Sequence, residues 1–245
     1  MNLKSMQAGN LTVDQPFVDR LFQQLQIEAQ DAGQRDDPIS QLGAYRSLTS
    51  DFRGLKDVGE YDKKLAELKP SPGLKSALKN EREQMDEQES LEAEIGSKLH
   101  ALTSENSDRS PSLGSQIVVG MQELKNQSTR AKTEAKRQVA ARAFSGAWAE
   151  GIEAGQQQLV EKHFGRAEAY FELMARVSDE PWPMLLLAEA QAAQGNRKQA
   201  IKDLRDAIRR GLNSADVLEK DRNLQSLEGD PEFQRLVGEL RARAK

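Results

Sequence analysis

Small and large apolar residues recur 33 positions apart near the C-terminus: Ala167 with Ala200, Phe171 with Leu204, and Met174 with Ala207. In each copy a small residue lets two helices approach, and the larger residue four positions on reaches into the next layer. The spacing within each copy is that of one helical face rather than of a strand. A chain that repeats in this way is committed to supersecondary units that stack on their neighbours.

The composition agrees with helices throughout. Valine and isoleucine together supply 17 residues and aromatics 5%, while Ala, Leu, Glu, Gln, Lys and Arg dominate. That mixture favours helix over pleated sheet, so the fold class is all-α. A charged fraction of 30% suits helical layers with much surface per residue. With a net charge of -4 no positive field gathers nucleic acid or anionic lipid, so neither is expected as a partner. The chain has no cysteine, which excludes disulfides, a thiol nucleophile and a thiolate metal site. Its longest strongly apolar run, Met184 to Ala188, is far shorter than the roughly 20 residues that span a bilayer. The N-terminus carries no uninterrupted apolar signal segment. A soluble protein is expected, in the cytoplasm in preference to the periplasm. The opening, Met1 to Gln15, is polar and irregular, and fits either a true start or a piece of a longer chain.

Along the chain, Phe17, Leu21, Phe22, Leu25 and Ala29 mark a first amphipathic helix, with Asp14 as its N-cap and Pro16 in its first turn. Asp36, Asp37 and Pro38 open a second helix that frays at Gly54. Asp57 caps a third, through Tyr61, Leu65 and Leu68, which Pro70 and Pro72 end. From Ser71 to about Leu102 the residues predict one long helix. The polar stretch TSENSDRSPS, Thr103 to Ser112, breaks it. A second long helix is predicted from about Leu113 into the 150s, weakened by Gly146, Gly151 and Gly155. The domain division that follows is 1–70, a helical segment; 71–147, a long antiparallel hairpin; and 148–245, the repeats.

The two long helices carry opposite charge. Glu81, Glu83, Asp86, Glu87, Glu89, Glu92 and Glu94 are offset only by Arg82, whereas Lys125 to Arg142 holds six cations against Glu134. A chain reversal at 103–112 would set the two stretches against each other, although exposed ion pairs contribute little and each run serves equally as a solvated face. Heptads read through Leu74, Leu78, Glu81, Met85, Gln88, Glu92, Ile95, Leu99 and Leu102 contain three polar members, a poor seam for a long dimeric zipper.

The segment PWPMLLLAEAQAAQGNRKQAIKDLRDAIRRGL resembles a unit of the tetratricopeptide repeat family. Leu187 and Ala188 stand for the large-then-small pair of its first helix, Gly195 for the turn, and Ala200, Leu204 and Ala207 for the second helix. Gln191 stands where the family has an aromatic, and Leu212 where it has proline. Phe164, Ala167, Phe171 and Met174 carry a weaker preceding unit. DVLEKDRNLQSLEGDPEFQRLVGEL resembles the degenerate closing unit of many bacterial arrays of this kind, with Leu218, Asp221, Leu224, Leu227, Asp230, Pro231, Phe233 and Leu236 in the recurrent places. A closing pair with a polar outside covers the apolar end of such a stack. The segments SDFRGLKDVGEYDKKLAEL and ALKNEREQMDEQESLEAEI are similar to helical extensions of some large bacterial hydrolase-like proteins. The tetratricopeptide resemblance implies a short α-solenoid whose first helices line a groove for a protein or peptide partner. It places Ile152, Gln156, Leu159, Trp182, Leu185, Glu189 and Ala193 in that groove. Lysine and arginine are absent from these positions, which argues against the family's carboxylate clamp. Trp182, between Pro181 and Pro183, reads first as a core anchor between repeats and second as an exposed hot spot.

Catalytic parts are missing from the sequence. His100 and His163 lie far apart in no ligand motif, so no metal site is expected. Nucleophile elbow, phosphate loop and dinucleotide fingerprint are all absent, so no cofactor is expected either. The abundant carboxylates lie on polar helical stretches where water keeps them ionised. The expected role is a non-enzymatic interaction scaffold or an accessory region of a larger bacterial protein. Two other readings stand beside it: an oligomerisation module acting through the long hairpin, which would make a homo-oligomer, and a hydrolase-associated piece with catalytic function.

Overall fold

The first helices begin where short polar side chains take up free backbone N–H groups. In the computed structural model, which describes residues 14–102 and 111–243, Asp14 Oδ1 accepts from Phe17 N at 3.2 Å and starts α1 (Gln15–Gln34). Asp37 Oδ1 accepts from Ser40 N at 3.1 Å and starts α2 (Pro38–Asp51). Asp57 takes the N–H of Gly59, the first residue of α3 (Gly59–Leu68). The chain is all-α: among the described residues the only β feature is an isolated bridge between Arg53 and Lys56. The expectations for the polar opening and for the centre of the 103–112 breaker fall outside the described residues.

The chain divides into two compact units, Met1–Gln84 and Met85–Lys245. In the first, α1, α2 and α3 meet around aromatic edges. Phe22 stands edge-on to Phe52 at 5.1 Å between centroids and to Tyr61 at 6.0 Å, a favoured quadrupole geometry. Phe17, expected in the buried stripe of α1, is half exposed, and its neighbour Val18 is buried instead.

The helix α4 (Pro72–Ala101) is continuous over 30 residues, as its lack of internal proline predicts. Leu74 is buried with Leu42 and Leu65. Ile95 and Leu99 are buried with Ile117 and Met121. From Lys75 to Glu94 no residue is buried, and Leu78 and Met85 are exposed. Among the described residues the heptad positions Leu78, Glu81 and Met85 are exposed, whereas Leu91 packs against the core of the second unit and Glu92 stands beside Gly146.

The expected second long helix is in fact two. The chain leaves α5 (Pro111–Arg130) and re-enters helix at α6 (Glu134–Val160). Thr133 Oγ1 accepts from Lys136 N at 3.3 Å, and Arg137 Nη1 donates to the Ala131 carbonyl at 2.7 Å. A threonine cap and one guanidinium thus stabilise a turn that propensity alone does not reveal. The basic stretch straddles this turn, and among the described residues no ion pair joins it to the acidic stretch. Lys79–Glu83 and Lys98–Glu94 lie within α4, Arg137–Glu134 within α6, and Lys125 reaches Asp179.

The second unit continues as helix pairs. Helix α6 packs on α7 (Phe164–Val177), α7 on α8 (Pro181–Ala193), and α8 on α9 (Arg197–Arg209). Ala167, Ala200, Phe171, Leu204, Met174 and Ala207 are all fully buried, so the recurring small residues are where helices touch. The glycines expected to weaken α6 do the same work within an unbroken helix. A Cβ added at Gly155 would lie 2.5 Å from Phe171 Cε1, and one at Gly151 would lie 2.6 Å from Met174 Sδ. After Gly211, whose φ of 110° suits glycine, come α10 (Ala215–Glu219), a 3₁₀ turn (Arg222–Leu227) and α11 (Pro231–Arg243). These bury Leu218, Leu224, Leu227, Phe233 and Leu236.

Glycine-to-alanine changes test the close approach. Alanine favours helix by about 1 kcal/mol, whereas overpacking a filled core costs about 1–3 kcal/mol. Gly155→Ala is expected to lower the stability measured by urea unfolding. Gly43→Ala, on an exposed part of α2 with open space around it, is expected to raise it by up to about 1 kcal/mol.

Candidate partner-binding surface

The seven residues assigned to a groove do not share one open face. Ile152 is buried, Gln156 is exposed, and Leu159 and Ala193 are half-buried. Trp182 is 44% exposed, while Leu185 and Glu189 are buried at 1% and 6%. Pro183 through Ala192 are all buried, because α8 is covered on one side by α7 and α9 and on another by the closing segment. Leu224 and Leu227 of the 3₁₀ turn are fully buried. Ser226 Oγ donates to the Ala192 carbonyl at 3.3 Å, and Asn223 Nδ2 donates to Glu189 Oε2 at 3.0 Å. Of the assigned positions, Gln156, Leu159, Trp182 and Ala193 retain the access a partner needs.

Trp182 is not the core anchor its neighbours suggest. Pro181 is the first residue of α8 and Pro183 turns inward. The indole stands on the outer side of that first turn, on backbone stiffened by two rings with fixed φ. The end of α7, which precedes this turn in the chain, is held by cations on its carbonyls. Arg210 Nη1 donates to Ala175 O at 2.9 Å and Ser178 O at 2.7 Å, and Lys125 Nζ to Val177 O at 3.3 Å.

The sequence placed Glu189 in the groove but did not signal that it is buried. Burial, and then the Asp221 carboxyl beside it, push the Glu189 carboxyl up to about 8, against the pull of the Asn223 amide. Asp221 also accepts from Asn223 N at 2.8 Å, so one short turn brings an acid and an amide on to the same buried carboxyl. This contact ties the closing segment to α8. A carboxyl inside the otherwise apolar run MLLLAEA is the only sequence signal of it.

The protonation of Glu189 makes stability depend on pH. Its folded value lies above the ordinary carboxylate range, so the folded state binds the extra proton. Its contribution is complete below about pH 4.5 and is lost as pH rises through about 8. Asp203, also raised by burial, acts in the same direction. Thermal unfolding is expected to give a falling Tm from about pH 5 to about pH 9, with Glu189→Gln markedly flattening that slope. An unchanged slope in the variant would remove Glu189 from the account.

Clefts lie in each of the two units. One of about 830 Å³ lies in the first unit between α1, α2 and α3, floored by Tyr45 and Tyr61 and walled by glutamines. Another of about 350 Å³ lies between α7, α8 and α9. Among the described residues no group of three or more histidine and carboxylate side chains stands together in an arrangement that would hold a metal ion, and no helix is long and apolar enough to cross a membrane. Compared with known proteins, the chain matches no family model, no curated protein and no solved structure.

Proposed function

We propose that the chain is a protein-interaction scaffold of the tetratricopeptide type, or the accessory region of a larger bacterial protein. It holds a protein or peptide partner on the open part of its helix-pair array and carries no catalytic machinery of its own. The observation that supports this most is Trp182. A large aromatic that is 44% exposed, on a first helical turn made rigid by Pro181 and Pro183, offers contact area with little conformational entropy left to lose on binding. The buried small residues at 167 and 200 and the closing segment supply the rigid support behind it. Leu185 and Glu189, covered by that segment, contribute to the support and not to the contact.

A photo-crosslinking amino acid placed at Trp182 or Gln156 in cells is expected to give a discrete heteromeric adduct. The same label at Gln234, on the exposed side of α11, is expected to give none. Trp182→Ala is expected to leave the thermal midpoint of the purified chain unchanged and to abolish the adduct formed from Gln156. Adducts of the chain with itself alone, matched by a dimer in light scattering, would replace the scaffold reading with self-association. Identical adducts at Gln234 would refute the assigned surface.

A further inference from the structure

The cleft between α7, α8 and α9 lies on a different side of α8 from Glu189. Met184, Leu187 and Gln191 follow the spacing of one helical face, and Leu185, Glu189 and Ala192 follow that of another more than a quarter-turn away. Its volume of about 350 Å³ falls in the range of about 300–1,000 Å³ typical of small-ligand sites.

The lining carries three carboxylates, Glu168, Glu172 and Asp203, and two guanidiniums, Arg176 and Arg210, and among the described ion pairs neither guanidinium reaches Glu168 or Asp203. Asp203 is 3% exposed, and its Oδ1 and Oδ2 accept only from amides, Gln199 Nε2 at 3.2 and 3.3 Å and the Gln191 amide. Glu168 accepts from Gln191 Nε2 at 3.4 Å and Gln194 Nε2 at 2.8 Å. Neither carboxylate has a cationic partner among the ion pairs of the described residues. Gln191, itself 3% exposed, lines the same cleft, and its Oε1 is buried with no hydrogen-bond partner. Three other charged groups face the space. Glu172 and Arg176 are exposed at its edge, and Arg210 spends Nη1 on the Ala175 and Ser178 carbonyls.

We propose that this cleft binds an organic cation, a guanidinium or primary-ammonium head, between Glu168 and Asp203, with Gln191 as the neutral acceptor and Met184 and Leu187 against its methylene stem. Asp203, buried, and Glu168, half-buried, accept hydrogen bonds from amides alone and lack the charge-assisted donors that a guanidinium or ammonium supplies. Burial raises the Asp203 carboxyl above its usual range, and a bound cation reverses that effect. The aliphatic walls suit the stem of a basic side chain or of a polyamine. The site is separate from the surface around Trp182 and stands whether or not that surface holds a partner.

The test is a titration of the full, isotope-labelled chain, read at the side-chain amide signals of Gln191 and Gln199. The probes are acetyl-arginine methylamide, spermidine, and the neutral isostere acetyl-citrulline methylamide. Saturable shifts with the arginine probe or with spermidine, and none with the citrulline probe, are expected. Tighter binding of the arginine probe identifies a protein side chain as the natural source of the cation, and tighter binding of spermidine identifies a free polyamine. Glu168→Gln and Asp203→Asn are each expected to weaken binding about tenfold, the loss of one charge-assisted contact. Glu239→Gln, exposed on α11, is expected to change nothing. Equal binding of the citrulline probe, no saturation with either cation, or full affinity in Glu168→Gln would each overturn the proposal. Glu168 is only half-buried, so that variant keeps the test decisive if Asp203→Asn does not fold.

Discussion

Close approach of helix backbones at alanine and glycine is the interaction on which the second unit depends. Where Ala167, Ala200 and Ala207 are fully buried and Gly151 and Gly155 leave no room for a Cβ, side chains from the facing helix fill the space that a larger residue would take. Dispersion contacts at such sites are individually weak and collectively large. They are lost steeply when the spacing opens, so the stack tolerates little change in volume at these positions. Peripheral ion pairs add little beside this, being for the most part exposed or between neighbouring residues of one helix.

The burial of α8 follows from the same packing and explains the unusual polar groups. A helix enclosed on several sides is expected to be apolar all round, and most of α8 is. Its two exceptions, Glu189 and Gln191, are each met by a polar group on a neighbouring element: Asn223 on the closing turn, and Glu168 and Asp203 on α7 and α9. Burying a carboxyl among carboxyls is costly unless a proton or a cation accompanies it. On one side of α8 the proton serves, and on the other the proposed ligand.

Much of the architecture was legible because it is written in local rules. The Asp14 and Asp37 caps, the uninterrupted α4, and the 33-residue recurrence all depend on residues close together in sequence or on one periodic face. The break at 131–133 was missed because it rests on Thr133 and on Arg137 reaching back to Ala131, a pairing that composition does not show. Gly151 and Gly155 were misread as weak points, since propensity records the cost of glycine in a helix but not the neighbour that needs the space. The charge runs were complementary in sequence, yet among the described residues no ion pair joins them. For the candidate surface, the positions on α6 and α8 were legible and their exposure was not. Exposure at 185 and 189 is decided by a turn some 34 residues further on, through Asn223. Gln191 had one signal, its departure from the aromatic expected at that place.

The uncovered middle of α4 has a consequence of its own. From Lys75 to Ser90 no residue is buried, and the helix is held by main-chain hydrogen bonds and side-chain contacts one turn apart, such as Lys79 Nζ to Glu83 Oε1 at 3.6 Å. Helices without tertiary support are marginal in water below about 12–15 residues, and this stretch is only modestly longer. Its amides are therefore able to exchange with solvent through brief local openings while Leu74 and Leu99, nearer the two ends, stay packed. The usual profile of a helix, with fraying ends around a protected centre, is expected to be inverted in α4.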